Sequence, residues 1–438
     1  MQFNKKNINN LFYIFITLHL ILWTLAPTLT NTNLPLDTIE ALAWGSSLEW
    51  GFNKHPPASA FFVEIFYQIF GRVDGAYYLL SQIFVVSSFW VLFKFSEEFF
   101  KNKIFGFISV LILEGIYFYN YTTPEFNVYI SELPFWTLTV YCAYKSITGN
   151  NIKHWLLLGL FGGIGFLSHY LFSYILLSIF IFYIYIFFKD KKFNFRILIA
   201  LEVFIIVIIP HLLWLVENDY TTITYGLHRT GSESTDINII DHLINPFYFL
   251  IKQIGILIPF WLMLFLVVNK FKFNFNFKDR KFLFLFFINF LPIVLMAITS
   301  LLTGAKIKTM WLTPFYLFFG LFFVYLFQKQ INLKKLNKFL ISFLFFFILS
   351  PIIYSVVSIS QKDKRTDYPG KQIAIKTQYV WDQEHKESIN VVLGDEWHAG
   401  NLSYHLKSRP VWEGFVTKSK LNFLSKSICI DSICVGVK

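Results

Sequence analysis

Apolar windows of about 18 residues or more recur along the first 360 positions, and this constrains the chain more than anything else in it. A helix of that length crosses a hydrocarbon layer roughly 30 Å thick. Read in order, the windows give spans near 11–29, 76–95, 104–121, 127–147, 154–169, 171–188, 197–216, 247–268, 282–303, 309–327 and 338–358. A water-soluble fold is excluded on surface chemistry, because 55% of residues are hydrophobic and only 15% are charged. Residues 28–33 lack a small-x-small cleavage site, so the first span reads as a retained helix rather than a cleaved signal peptide. The sequence therefore predicts a polytopic α-helical membrane protein with about eleven transmembrane helices.

Basic residues orient those spans. One alternate set of loops carries Lys5 and Lys6, then Lys94, Lys101 and Lys103, then Lys145 and Lys153. The same set continues with Lys189, Lys191, Lys192 and Arg196, then Lys270 to Lys281, then Lys329 to Lys338. The opposite set has only Lys54, Arg72, Arg229, Lys306 and Lys308 outside the spans. The positive-inside rule makes the first set cytoplasmic, which leaves the N-terminus inside and the segment after residue 359 outside. The net charge of +11 is thus mainly a topology signal. No basic run is interleaved with aromatics on a soluble domain, so nucleic acid is not an expected partner.

Residues 34–57, LPLDTIEALAWGSSLEWGFNKHPP, break the apolar text on the outer side. They hold Asp37, Glu40, Glu49, Lys54 and His55, and charged groups kept at a membrane surface mark function. Asp37 opens a helical pattern, where a carboxylate serves as an N-cap, with Glu40 three residues on completing something like a capping box. Alternatively Asp37 is a general base, its pKa raised towards neutrality by reduced solvation. Both readings stand on spacing alone. Lys54 and His55 can face an anion, or simply shape the turn into Pro56-Pro57. His228 and Arg229 lie in a second long outer loop, 217–245, that is rich in hydroxyl side chains. His169, at a span end, suits a ligand contact or a hydrogen-bonded structural role. Glu132, just before Pro134 inside the fourth span, is expected to face a cavity or a cation.

Beyond residue 360 the text becomes polar, with short alternating apolar runs such as 390–393 and 409–412. This predicts a small α/β appendage over 361–438, with little core of its own. Cys142 lies in a span as an apolar filler. Cys429 and Cys434 flank a short segment suited to a tight hairpin; on an oxidising face they can pair, and otherwise they are two free thiols.

Carboxylates, cations and hydroxyls collected at one face of an apolar bundle suit the transfer of a sugar from a lipid-linked phosphate. The leaving phosphate needs cations, the acceptor hydroxyl needs a base, and the lipid tail needs a groove. In the first loop, Asp37, Trp44, Gly51, Phe52, His55, Pro56 and Pro57 resemble the first outer loop of bacterial polyprenyl-phosphate-sugar glycosyltransferases. These form the dolichyl-phosphate-mannose-protein-mannosyltransferase-like superfamily, with the GT-C fold, which includes the lipid A aminoarabinose transferases. SELPFWTL (Glu132, Pro134), GGIGFLSHY (His169 where lysine is common), Pro210/Trp214/Asn218 and TMWLTPFY (Trp311, Pro314) are similar to further motifs of that superfamily. Thr38 stands where family members commonly have a second acidic residue.

The resemblance implies a GT-C-like bundle over 1–360 with interfacial helices in its first outer loop, and a small periplasmic domain over 361–438. It implies an inverting glycosyltransferase at the outer face of a bacterial inner membrane, using a polyprenyl-phosphate sugar donor and a lipid, glycan or protein acceptor. Asp37 would be the base, Glu40 and Glu132 supporting carboxylates, and Lys54, His55, His169 and Arg229 donor-phosphate or loop contacts. No cofactor is required by the family; some relatives hold a metal near the acidic loop, for which this chain offers Glu40 and His55. The rival classes are a transporter or lipid flippase, which would show paired half-repeats and broken midplane helices, and a ligase or polymerase of lipid-linked glycans.

Overall fold

A computed structural model describes residues 5–149, 151–231, 238–430 and 432–438. Part of the 217–245 loop, residues 232–237, and Asp431 of the expected C-terminal hairpin lie outside the described residues.

The chain begins with α1 (Lys5–Thr30), followed by a short α2 (Leu36–Gly45) and α3 (Ala58–Phe70). Pro35 precedes α2 and Pro57 precedes α3, each with the fixed φ and missing N–H that suit a helix start. The bundle continues through α4 (Asp74–Ser96), α5 (Lys103–Leu111), α6 (Val128–Thr148), α7 (Ile152–Ser168), α8 (Ser173–Asp190) and α9 (Ile197–Glu217). Asn127 caps α6 by accepting from the Tyr129 and Ile130 N–H groups, each at 3.1 Å. Next come α10 (Thr221–Thr230), α11 (Asp241–Ile256), α12 (Ile258–Val267), α13 (Arg280–Thr303), α14 (Phe319–Phe327) and α15 (Leu336–Ser360).

Six of these helices are long and apolar enough to cross a membrane. The number rises to eight if α11 with α12, bent by 46°, and Thr309–Tyr316 with α14, bent by 51°, each count as one span. The expected spans at 104–121, 127–147 and 154–169 fall on α5 with its 3₁₀ continuation, α6 and the 17-residue α7. Those segments are shorter, broken or more polar, which is why length and hydropathy alone do not single them out. Inside the bundle the His19 Nδ1 lies 2.8 Å from the Glu114 carboxylate, both side chains fully buried, tying α1 to the 3₁₀ turn after α5. Buried polar groups in a membrane bundle are kept when partnered, and this contact is a structural tie.

The C-terminal segment contains α16 (Gly370–Glu384), β1 (Val391–Leu393), α17 (His398–His405), β2 (Val411–Trp412), α18 (Lys418–Asn422), β3 (Lys426–Ile430) and β4 (Ile433–Val437). Its four strands run in the order β2-β1-β4-β3, with β1–β2 parallel and the other two pairings antiparallel. Cys429 and Cys434 sit opposite each other on β3 and β4 and are disulfide-bonded. The appendage does not stand apart. Trp381, Leu402, Tyr404 and Trp412 belong to the same buried cluster as Ile39 and Leu42 of α2. Polar ties fix the docking: Tyr404 donates to Asp74 at 2.6 Å, Arg409 pairs with Glu64 at 2.6 Å, and the Asn33 amide donates to Asn401 at 2.9 Å.

Candidate active site

Helix α2 and the loop after it are pinned from several directions. Trp44 stacks on Phe52 with ring centres 5.6 Å apart, and His55 meets the Trp44 face edge-on at 5.8 Å. Three of the residues that carried the family resemblance are thus one aromatic unit. Thr222 of α10 donates to the Phe52 carbonyl at 2.5 Å, and the His211 Nδ1 lies 2.7 Å from the Trp50 carbonyl oxygen. Gly51 is required by close approach: a Cβ there would come within 2.2 Å of the Trp214 ring. On α7, Gly163 similarly leaves room for Val207 of α9, whose side chain would lie 2.7 Å from an added Cβ.

These elements wall a cavity of about 1080 Å³, lined among others by Asp37, Glu40, Lys54, His55, His169 and Arg229. Six of the seven expected site residues therefore come together. Glu132 does not reach the cavity; it lies fully buried behind His169, whose Nδ1 is 3.5 Å from the Glu132 carboxylate, too far for a hydrogen bond. Neither Glu132 oxygen has a hydrogen-bond partner among the described residues.

The N-cap reading of Asp37 is corrected. Pro35 occupies the N-cap, Asp37 lies inside the first turn, and no side chain caps the helix locally. Glu125, from the short loop before α6, supplies the missing acceptor by taking the Asp37 backbone N–H at 3.0 Å. A carboxylate 88 residues downstream caps the helix, leaving the Asp37 carboxylate free of hydrogen bonds among the described residues and facing the cavity. Nor does Glu40 close a capping box: it accepts from Lys54 at 2.9 Å.

The electrostatics follow from this placement. Withdrawal from bulk water, reinforced by the Glu125 charge, pushes the Asp37 carboxyl up to about 7, against the opposing pull of Lys54, Arg229 and Arg365. Burial likewise raises the Glu125 and Glu40 carboxyls, and Lys54 holds the Glu40 rise back. Lys54 is already neutralised, 2.9 Å from Glu40 and 3.4 Å from Glu396. His55 is lowered to about 3 by desolvation and by the charges of Lys54 and Arg229, so it lines the cavity as a neutral imidazole rather than as a cation. Among the described residues no three His, Cys, Asp or Glu side chains stand together as a metal-ligand set. Glu40, one of the two expected ligands, has its carboxylate engaged by Lys54.

Sequence reasoning missed Glu125, Arg365 and Glu396, all on the cavity wall. Glu125 carried a usable signal, as the one carboxylate in the short outer loop 122–126. Arg365 and Glu396 carried none, because only the docking of the C-terminal segment brings them over α2.

A family model described as dolichyl-phosphate-mannose-protein mannosyltransferase matches residues 54–214. No curated protein matches the chain by sequence. Among solved structures, ArnT from Cupriavidus metallidurans bound to undecaprenyl phosphate aligns with a TM-score of 0.63 at 11% identity, covering 94% of this chain and 87% of that one. The apo form of the same protein aligns with a TM-score of 0.59 at 10% identity, covering 98% of each chain. The chain has the multi-pass fold of ArnT, and the family model falls on the part of it that runs from the loop after α2 to α9.

Proposed function

We propose that this protein transfers a sugar from a polyprenyl-phosphate donor to a lipid, glycan or protein acceptor, with inversion, at the periplasmic face of a bacterial inner membrane. One observation carries the reading: a carboxylate that accepts no hydrogen bond among the described residues, its pKa raised to about 7, faces a large cavity that also receives Arg229 and Arg365. The structural neighbour ArnT, of the same fold, binds undecaprenyl phosphate, which supports a lipid-phosphate donor here.

In this mechanism Asp37 takes the proton of the acceptor hydroxyl as its oxygen attacks the anomeric carbon. The bond from that carbon to the phosphate oxygen breaks, and its electron pair leaves with the lipid phosphate. Attack opposite the leaving group inverts the centre. Arg229 and Arg365 offset the charge that grows on the phosphate, which is where fixed cations accelerate a reaction most. A base with a pKa near working pH is well matched to the transfer, because it is both available and basic enough. Glu40 and Lys54 hold the loop, His55 and His169 offer neutral imidazoles to the donor, and Glu132 backs His169. This mechanism requires no cofactor, so a chelator such as EDTA is expected to leave turnover unchanged; a loss that an added divalent cation restores would place a metal in the reaction.

Asp37→Asn keeps the shape and removes the base, and turnover by purified protein should fall about 10²–10⁴-fold. A variant that transfers sugar at the wild-type rate would refute the assignment and pass the role to another cavity carboxylate.

A further inference from the structure

Next to the Asp37 cavity lies a second one, of about 600 Å³, whose wall includes Arg229, Lys252, Lys306 and Lys308 and no carboxylate among the described residues. Lys252 rests over the Tyr248 ring at 4.2 Å and Arg229 lies 6.0 Å from the Tyr225 ring, and neither is ion-paired to a carboxylate among the described residues. Lys308 is close enough to Arg229 that, after burial, the Arg229 charge is the next cause of its lowered pKa. Among the described residues Asp37 is the one carboxylate felt by this group, acting on Arg229 and Lys308 across the shared wall, so four cations gathered here gain from an added anion.

Topology makes the convergence more telling. The positive-inside rule strips cations from the outer face, and before residue 360 that face is left with Lys54, Arg72, Arg229, Lys306 and Lys308 outside the spans. Three of these line this one cavity. The loop that presents Lys306 and Lys308 is also fixed in place. It starts at Gly304, which ends α13 in the left-handed region at φ 69°. Asn245 of α11 donates to the Gly304 carbonyl at 2.7 Å, Ser300 donates to the Ala305 carbonyl at 2.7 Å, and the Lys306 N–H donates to the Thr230 carbonyl at 3.2 Å. The backbone that presents Lys306 and Lys308 is thus held in place.

The cavity adjoins exposed apolar surface. It shares Tyr117, Lys252 and Thr309 with an adjoining recess of about 420 Å³ that runs to the α11–α12 bend. Beside that recess Ile251, Ile254 and Ile258 are about half exposed or more. Cations at one end and exposed apolar side chains at the other are complementary to an amphiphile with a phosphate head. We infer that this second cavity binds the phosphate headgroup of an anionic membrane lipid, at a site separate from the Asp37 cavity and joined to it through Arg229.

The inference stands apart from the sugar-transfer reading and is tested by binding. Full-length protein in neutral detergent is titrated by calorimetry with dioctanoyl phosphatidate, with dioctanoyl phosphatidylcholine, with inorganic phosphate and with undecaprenyl phosphate. The wild type should prefer phosphatidate over the zwitterionic lipid and over inorganic phosphate. The Lys252→Gln/Lys306→Gln double variant should bind phosphatidate at least about tenfold more weakly, since each lost charged partner removes a charge-assisted hydrogen bond, and should keep its affinity for undecaprenyl phosphate. Arg229→Gln should weaken both. Unchanged phosphatidate binding in the double variant overturns the site. An equal loss for undecaprenyl phosphate makes it the donor's own site, and equal binding of inorganic phosphate makes it a free-anion site; either result overturns the inference. If the wild type ignores undecaprenyl phosphate but keeps the phosphatidate pattern, the donor assignment fails and this inference survives.

Discussion

Asp37→Asn should make the protein more stable at the pH where it makes it inactive. The carboxyl is raised from 3.8 to about 7, chiefly by desolvation. A raised acid binds its proton more tightly in the folded state, so ionising it opposes folding. The penalty is absent below the unfolded value of 3.8, grows as pH rises between 3.8 and 7, and is complete above about 7. At roughly 1.36 kcal/mol for each pH unit between those values, its ceiling is about 4 kcal/mol. Asparagine carries no charge at any pH and escapes the penalty. Apparent thermal stability of the two purified proteins, compared in the same detergent from pH 4 to pH 8, should therefore coincide in acid and diverge upward, with Asp37→Asn the more stable. In parallel, wild-type kcat/KM should climb about tenfold for each pH unit below 7 and level off above it, as expected of a base with that pKa. A stability gap that is flat across the range, or a rate profile flat from pH 5 to pH 8, would show that Asp37 titrates as an ordinary carboxylate and would remove the physical basis for its role.

Three further outcomes follow from the same geometry. Glu125→Gln keeps an oxygen for the Asp37 N–H but removes the neighbouring charge, so the acid limb of the rate profile should move to lower pH, whereas Glu125→Ala should in addition cost about 1 kcal/mol of stability through loss of the helix cap. Lys54→Met strands Glu40 and Glu396 beside each other and should destabilise on the order of 3 kcal/mol in denaturation, most strongly at alkaline pH, with partial recovery when Glu396→Gln is added. Reporter fusions after Lys101 and after Lys438 should report opposite sides of the membrane; the same side at both positions would overturn the Lys/Arg map.

How much of this was legible in the sequence depended on how local the cause was. The polar island at 34–57 announced itself against apolar neighbours, and its cluster of Trp44, Phe52 and His55 is built from residues a dozen apart or fewer. Asp37 could be singled out but its two readings could not be separated, because the deciding contact comes from Glu125. The charge state of His55 was likewise hidden, since burial and the Arg229 charge come from elements distant in sequence. Apolar windows located helical segments along the bundle, yet the bends of 46° and 51° lie within continuous apolar text and have no local hydropathy signal. The C-terminal segment read as an appendage because its docking residues, Tyr404, Arg409 and Asn401, are polar groups whose partners sit more than 300 positions away.

That docking has a consequence for how the protein comes to life in the cell. Asn33, just ahead of α2, is gripped by Asn401 and His405, the latter 372 positions later, and Arg409 reaches back to the Leu42 carbonyl. Contacts of such sequence separation form late, and α2 is made long before residue 400 is synthesised. The helix that carries Asp37 is therefore fully packed only once the C-terminal segment has docked on it. A chain truncated before residue 361 should therefore keep its apolar helices but leave α2 without the Asn401, His405 and Arg409 contacts, a loss that proteolysis of the 34–57 loop would report.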